Sequence, residues 1–227
     1  EKKLPPKAYT FQSGPKNQIG MAQPGAKTWV RSWVPNMTIT GMVIRHGEAF
    51  TISDYLTVWD GDNAVYRPTV HYSYCPTDAA IASMRELEAL QWNITDNQRI
   101  MNDEIIDGED RLGVLLMGHP YTSWWTGSLL NIHDARKLIP GQSATTVQVG
   151  SAVYAAVVWA MDNPDRGYMV PDDMPWREVL DIAEPYWNVT SVQSDWTPIS
   201  DRNDLFKGWN GREYDESDPW QFKNFLV

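Results

Sequence analysis

The stretch TWVRSWVPNMTITGMVIRHGEAF, residues 28–50, decides the fold class, because two runs in it have the apolar and β-branched composition of strands. Two further runs, ISDYLTVWD and AVYRPTVHYSY, extend the β pattern to residue 74. Between them lies DGDN, residues 60–63, whose members tolerate positive φ and therefore predict a hairpin. Pro68 cannot donate a backbone hydrogen bond, so its own strand is expected at an edge or a bulge.

The chain after residue 75 shows mostly helical patterns. We predict four helices and two strands in it, with boundaries set by capping residues and by Asn163-Pro164. Strands first and helices later indicate an α+β fold, with a mixed, largely antiparallel sheet and packed helices. The predicted helices are 76–90, 131–138, 143–161 (apolar almost all round and therefore central) and 174–183; the strands are 112–117 and 189–193.

The chain is predicted to contain one main domain with two flanking segments. Residues 1–27 are rich in Lys, Pro, Gly, Gln and Asn without periodicity, which is typical of a linker or of a segment that packs on another part of the protein. Residues 28–200 hold the predicted elements, and residues 201–227 form an irregular aromatic tail.

Composition excludes several classes of function. The net charge of −10 argues against a surface for nucleic acid or anionic membrane. The single cysteine, Cys75, cannot form an internal disulfide, and no signal peptide opens the chain. The longest apolar region, 144–161, is interrupted by Gln148 and Ser151, so no membrane span is expected. We predict a cytoplasmic protein.

His46 and Glu48 are the first candidates for chemistry. In a strand, residues two apart share a face, so both would project beside each other, with Gly47 allowing close approach. A histidine beside a carboxylate can exchange protons near neutral pH, while the carboxylate holds a cation. The competing interpretation is a structural His–Glu pair at the end of a strand.

The sequence gives little support for a metal site or a nucleotide site. His46-Gly47-Glu48 with Cys75 resembles part of the zinc-deaminase pattern, but proline follows Cys75 and a second cysteine is missing, so zinc is excluded. No G-x-G-x-x-G or Walker loop occurs in the sequence. We predict no metal, with a carboxylate site at Asp54 or Asp110 as the alternative.

Two further segments carry candidate binding residues. DEIIDGEDRLG, residues 103–113, is either a solvated turn or a source of one inward carboxylate, Asp110. GHPYTSWWTGS, residues 118–128, is interpreted as a loop whose Trp124 and Trp125 could wall a pocket for an apolar or cationic ligand. Packing in the core or at a dimer interface is the alternative.

The ordered set of segments resembles bacterial homospermidine synthases of the saccharopine-dehydrogenase-like group. The resemblance covers nearly everything from about residue 20 onward. It is carried by QPGAKTWVRSW (23–33), GMVIRHGEAFTISDYLTV (41–58), AVYRPTVHYSY (64–74), IIDGEDRLGVLLMGH (105–119), SWWTGSLLNIHDARKLIPGQSATTVQV (123–149), SDWTPI (194–199) and DPWQFKNFLV (218–227).

The resemblance implies an NAD-dependent enzyme that joins two putrescine molecules, or putrescine and spermidine, and releases ammonia or diaminopropane. It implies that His46 and Glu48 border the substrate pocket as catalytic residues, with Glu48 also binding substrate. Asp110 would hold an ammonium group, and Trp124 and Trp125 are matched in sequence only.

The family also has an N-terminal dinucleotide-binding domain, which this chain lacks. We therefore expect the C-terminal, substrate-binding and dimerising half of the fold, inactive without the NAD-binding half. The expected partners are that half and a second copy of the chain. The alternatives are a saccharopine-like reductase acting on another amine, and a non-catalytic polyamine-binding or scaffolding subunit.

Overall fold

The computed structural model describes residues 4–5, 7–10, 18–98, 100–101, 103–202 and 214–227. Residues 11–17 of the predicted opening segment and 203–213 of the predicted tail lie outside the described residues. The elements are strands β1 (Ala8–Thr10), β2 (Ile19–Met21), β3 (Trp29–Val34), β4 (Met37–Ile44), β5 (Val58–Asp60), β6 (Asn63–Tyr66), β7 (Tyr72–Tyr74), β8 (Glu109–His119), β9 (Thr122–Asn131) and β10 (Val189–Ser194), and helices α1 (Gly47–Tyr55), α2 (Asp78–Ala89), α3 (Ile132–Leu138), α4 (Ala144–Asp162) and α5 (Trp176–Ala183).

The chain divides into two compact units. Unit 1 contains Glu1–Met84, Met117–Ser123 and Ser194–Val227, and unit 2 contains Arg85–Leu116 and Trp124–Gln193. The α+β class is confirmed: small antiparallel sheets pack with the five α-helices. The functional boundaries after residues 27 and 200 stay a prediction.

Unit 1 is built on a sheet of strand order β3–β4–β7. β3 and β4 pair antiparallel up to Val34 opposite Met37, and Asn36 turns the chain between them with a φ of 66°. Val30 and Met42 bury their side chains in this sheet at 0% and 2% exposure. The first two strand predictions are confirmed up to Ile44.

The strand prediction is wrong beyond Ile44. The segment predicted to continue as strand forms α1, so His46 and Glu48 do not share a strand face. His46 is the N-cap residue with extended backbone, and Glu48 lies in the first turn, where a carboxylate is favoured by the helix dipole. The predicted strand ISDYLTVWD therefore keeps only its last part, β5.

The hairpin prediction in unit 1 is confirmed, but the run AVYRPTVHYSY is not one strand, because it divides into β6 and β7. β5 and β6 form the expected hairpin, with Gly61 at a φ of 57° in its turn. Pro68 lies between β6 and β7, outside both strands.

Unit 2 contains most of the three-stranded sheet of order β10–β9–β8, and Met117–Ser123 of its hairpin belong to unit 1. Asn131 accepts a hydrogen bond from the backbone amide of Asp134 at the start of α3, and Ser143 does the same for Thr146 at α4. The cap at Asn131 is as predicted, and Ser143, predicted as the first residue of the long apolar helix, is the N-cap of α4. A buried cluster joins β9, α3 and α4: Leu130, Ala135, Ala144 and Val147.

The segment GHPYTSWWTGS is not the predicted loop. It is the turn and the start of β9, which pairs back on β8. The Trp125 indole lies over Gly113, where a Cβ atom would approach the ring to 2.4 Å. This contact fixes one face of the sheet, because alternate residues of a strand point to opposite faces.

The prediction that α4 is a central helix is also wrong. Its Val147, Gln148 and Ser151 are buried, but Val153 and Val157 are 60% and 51% exposed. α4 is long and apolar enough to cross a membrane by length and composition, with a mean hydropathy of 1.3, and 33% of its apolar window is buried. Its buried polar residues bond within unit 2: the Trp187 indole donates to the Gln148 carbonyl and to the Ser151 hydroxyl.

Candidate functional site

The junction between β4 and α1 brings two of the predicted site residues together. Nδ1 of His46 contacts Oε2 of Glu48, and the two side chains are 43% and 62% exposed. The contact is possible because β4 ends at Ile44, two residues before His46. Glu48 already lies in the first turn of α1. An imidazole and a carboxylate on one open surface can exchange a proton and attract a cation.

Tyr72 is part of the same site, and sequence reasoning missed it. Its ring stacks on the imidazole of His46, with centroids 4.6 Å apart and planes at 15°. β7 pairs antiparallel with β4 so that Tyr72 lies opposite Ile44, which places it diagonally beside His46. The alternating aromatic residues of HYSY were visible in the sequence, but the partner strand was not.

Asp110 lies in unit 2, near the start of β8. Its Oδ2 accepts a hydrogen bond of 2.6 Å from Oγ1 of Thr145, in the first turn of α4. Its backbone carbonyl accepts a longer bond of 3.4 Å from Nε2 of Gln148. The first turn of α4 contains no acidic residue, so Asp110 supplies a negative charge near the positive end of that helix. This is a structural role that competes with binding an ammonium group.

The two tryptophans of β9 differ in environment. Trp125 is 2% exposed and packs on Gly113, so in this structure it is a core residue. Trp124 donates from Nε1 to Oγ of Ser191 on β10 at 2.7 Å. The substrate-binding roles assigned to both indoles stay predictions.

The predicted site residues thus fall into two groups, His46 with Glu48 in unit 1, and Asp110 with Trp124 and Trp125 in unit 2. Within the described ranges, no three His, Cys, Asp or Glu side chains cluster as metal ligands. The Cys75 thiol has its pKa raised by burial and by nearby Asp78, which opposes formation of a reactive thiolate.

The residues present do not fit NAD in the usual way. A dinucleotide binds at the glycine-rich turn of a parallel βαβ unit. The sequence has no such turn, and the strand pairs with resolved register are antiparallel. The residues of this chain can therefore supply substrate binding and proton transfer.

Comparison with known proteins places the chain in a family. Residues 1–189 match the sequence model of the saccharopine dehydrogenase C-terminal domain. The chain belongs to this family. The predicted resemblance to homospermidine synthases is confirmed by two relatives of that name. One is from Blastochloris viridis, 43% identical over 230 residues, and the other is from Mesorhizobium japonicum, 42% identical over 231 residues.

The chain spans about half the length of these relatives: the match covers 100% of this chain and 47% of each of them. A crystal structure of the homospermidine synthase of Legionella pneumophila, in complex with NAD, matches with a TM-score of 0.93 and 39% identity. That match covers 100% of this chain and 49% of the other. The saccharopine dehydrogenase C-terminal domain family thus accounts for the fold.

Proposed function

We propose that this chain is the substrate-pocket half of an NAD-dependent homospermidine synthase, active only together with an NAD-binding half. The observation that carries the proposal is the contact between His46 and Glu48 on an exposed surface. It is supported by the relatives named homospermidine synthase and by the NAD complex of one of them. The substrates would be two putrescine molecules, or putrescine and spermidine.

The chemistry of such a substrate explains why these two side chains are needed. A diamine carries a positive charge on each nitrogen at neutral pH, and the reacting nitrogen must lose a proton before it can attack a carbon atom. In our proposal Glu48 holds an ammonium group by charge, and His46 accepts the proton from the reacting nitrogen. When bound, NAD supplies the oxidation and the reduction.

Asp110 is proposed as a second carboxylate for an ammonium group. Its Oδ2 already accepts a bond from Thr145, but a carboxylate has about four lone-pair positions and can accept more than one donor. Trp124 and Trp125 are kept as predictions without a step in the reaction.

The proposal is tested with the full-length protein, putrescine and NAD, by measuring homospermidine and ammonia. His46→Ala and Glu48→Gln are each expected to lower turnover at least about tenfold, or about 1.4 kcal/mol of barrier. His133→Ala and Glu86→Gln, on exposed parts of α3 and α2, are the matched controls. Absence of homospermidine from the wild-type reaction would reject the assignment, and wild-type rates in both variants would make the pair structural.

A second candidate function is supported by the family itself. Because the chain matches the saccharopine dehydrogenase C-terminal domain, a saccharopine-like reductase acting on another amine is the alternative. Product analysis with carboxylated amines separates the two. A non-catalytic polyamine-binding subunit would instead bind putrescine in calorimetry, while no partner restores turnover.

We also propose a cytoplasmic homodimer. One face of the β10–β9–β8 sheet supports the second copy: Leu112, Val114 and Leu116 of β8 are 40–50% exposed. Gly113 of β8 lies on the same face of the sheet as Trp125. Because successive residues of a strand point to opposite faces, Leu112, Val114 and Leu116 lie on the other face, together with Trp124. The Trp124–Ser191 bond brings Val189, 48% exposed, to the same face. We call these five residues the open sheet face: Leu112, Val114, Leu116, Trp124 and Val189.

The open sheet face suits a second copy better than a charged partner, since none of its five side chains carries a charge. Two sheets of this kind pack face to face with interdigitating apolar side chains.

A further inference from the structure

The stacked ring of Tyr72 constrains His46 in a way that the rest of the site does not. The contact of Nδ1 with Glu48 acts at the edge of the imidazole, in the plane of the ring. Tyr72 acts on its face, with the two planes at 15° and the centroids 4.6 Å apart. An edge contact alone leaves the imidazole able to turn about that contact, whereas a stacked neighbour fixes the plane.

The constraint matters because His46 is open to solvent. The side chain is 43% exposed and makes no capping bond to the helix that it precedes. An exposed, uncapped side chain samples several rotamers unless a neighbour selects one. With the face held by Tyr72 and Nδ1 held by Glu48, Nε2 is the edge that can meet a substrate nitrogen.

The backbone around Tyr72 can hold its ring in place. Residues 72–74 pair with β4 over Ile44, Val43 and Met42, and Met42 is 2% exposed. Tyr72 therefore stands on a strand that is attached to the buried part of unit 1. Stacked aromatic pairs prefer such offset arrangements, which gives the contact a defined geometry.

We propose that Tyr72 is a positioning residue, which holds the imidazole of His46 in the plane needed for proton transfer. The inference rests on the proposed function of the His46–Glu48 pair. A role in packing alone is the competing explanation, because the Tyr72 ring also lies 6.4 Å from that of Tyr74. The tests must therefore separate an effect through His46 from a general loss of stability.

The first test follows the stack directly, in full-length protein with ¹³C-labelled histidine. A stacked ring shifts the imidazole resonances of His46 by its ring current. Tyr72→Phe keeps the ring and should keep the shift, whereas Tyr72→Leu should remove it. Tyr66→Leu, on the exposed hairpin strand β6, is the matched control. Unchanged His46 resonances in Tyr72→Leu would overturn the proposal, and this result does not depend on which reaction the enzyme performs.

The second test is kinetic and uses homospermidine formation. Tyr72→Leu should lower kcat about tenfold with KM changed less than about twofold, while Tyr72→Phe stays within about twofold of wild type. In a His46→Ala background, Tyr72→Leu should lower kcat no further, because its effect on turnover passes through His46. An equal loss in both backgrounds would overturn the positioning role. If the wild-type enzyme forms no homospermidine, the proposed function is rejected. The resonance test would then still show whether Tyr72 holds the His46 ring.

Discussion

At the scale of single residues, surroundings decide what a histidine can do. His46 is open to solvent and contacts a carboxylate, as a proton-transfer group requires. His71 lies in the same unit as His46. Its ring packs edge-on against Phe222 and Phe225 at centroid distances of 5.1 and 5.2 Å. Burial lowers the pKa of His71 to about 4, so this imidazole stays neutral at neutral pH.

His71 predicts a dependence of stability on pH. Its pKa in the folded state, about 4, lies below the unfolded value of 6.5, so the unfolded state binds more protons between these values. The free energy of unfolding should therefore fall as the pH is lowered from 6.5 towards 4. At about 1.4 kcal/mol per pKa unit the loss is at most about 3 kcal/mol, an upper bound because residue 71 as a whole is only partly buried.

Urea denaturation between pH 7 and pH 4 measures this loss. His71→Phe preserves the aromatic packing and should remove the contribution, giving a flatter pH profile. His133→Ala removes an exposed histidine and should keep the wild-type profile. A steep profile that is unchanged in His71→Phe would show that other groups cause it.

At the scale of elements, local patterns predicted some boundaries and not others. The starts of α3 and α4 were predictable because Asn131 and Ser143 bond to the helix backbone three residues later. The passage from β4 into α1 was not, because MVIRHGEAF carries apolar residues that suit either period. β7 ends its pairing with β4 at Ile44, and this long-range contact is invisible to a local pattern.

The cap of α3 gives a prediction at this scale. The Asn131 side chain accepts from the backbone amide of Asp134 at 2.9 Å. Asn131→Ala leaves that donor without this partner and should lower the free energy of unfolding by about 1 kcal/mol. Asn131→Ser retains an acceptor oxygen and should lose less. Equal stability of the wild type and the alanine variant in urea denaturation at pH 7 would contradict this role of the cap.

At the scale of the molecule, the sequence predicted the α+β class and the family, but not which apolar surfaces stay open. α4 was expected to be central because its residues are apolar almost all round, yet Val153 and Val157 are exposed. Composition reports how much apolar surface a helix has, not whether the same chain covers it. The open sheet face is a second case, since residues 112–117 were predicted as a strand without any indication that Leu112, Val114 and Leu116 are 40–50% exposed.

The open sheet face yields a prediction about assembly. Val114→Asp places a charge at the centre of β8, where pairing of two sheets would leave that carboxylate buried without a partner, so it should shift the full-length protein from dimer to monomer. Light scattering after gel filtration measures the mass, and an unchanged far-UV circular dichroism spectrum shows that the fold is intact. Val65→Asp, at a valine of β6 that is 61% exposed against 50% for Val114, should leave the dimer in place. If the Val114→Asp protein remains dimeric, the open sheet face is not the interface. If the wild-type protein is a monomer, the proposed homodimer is wrong.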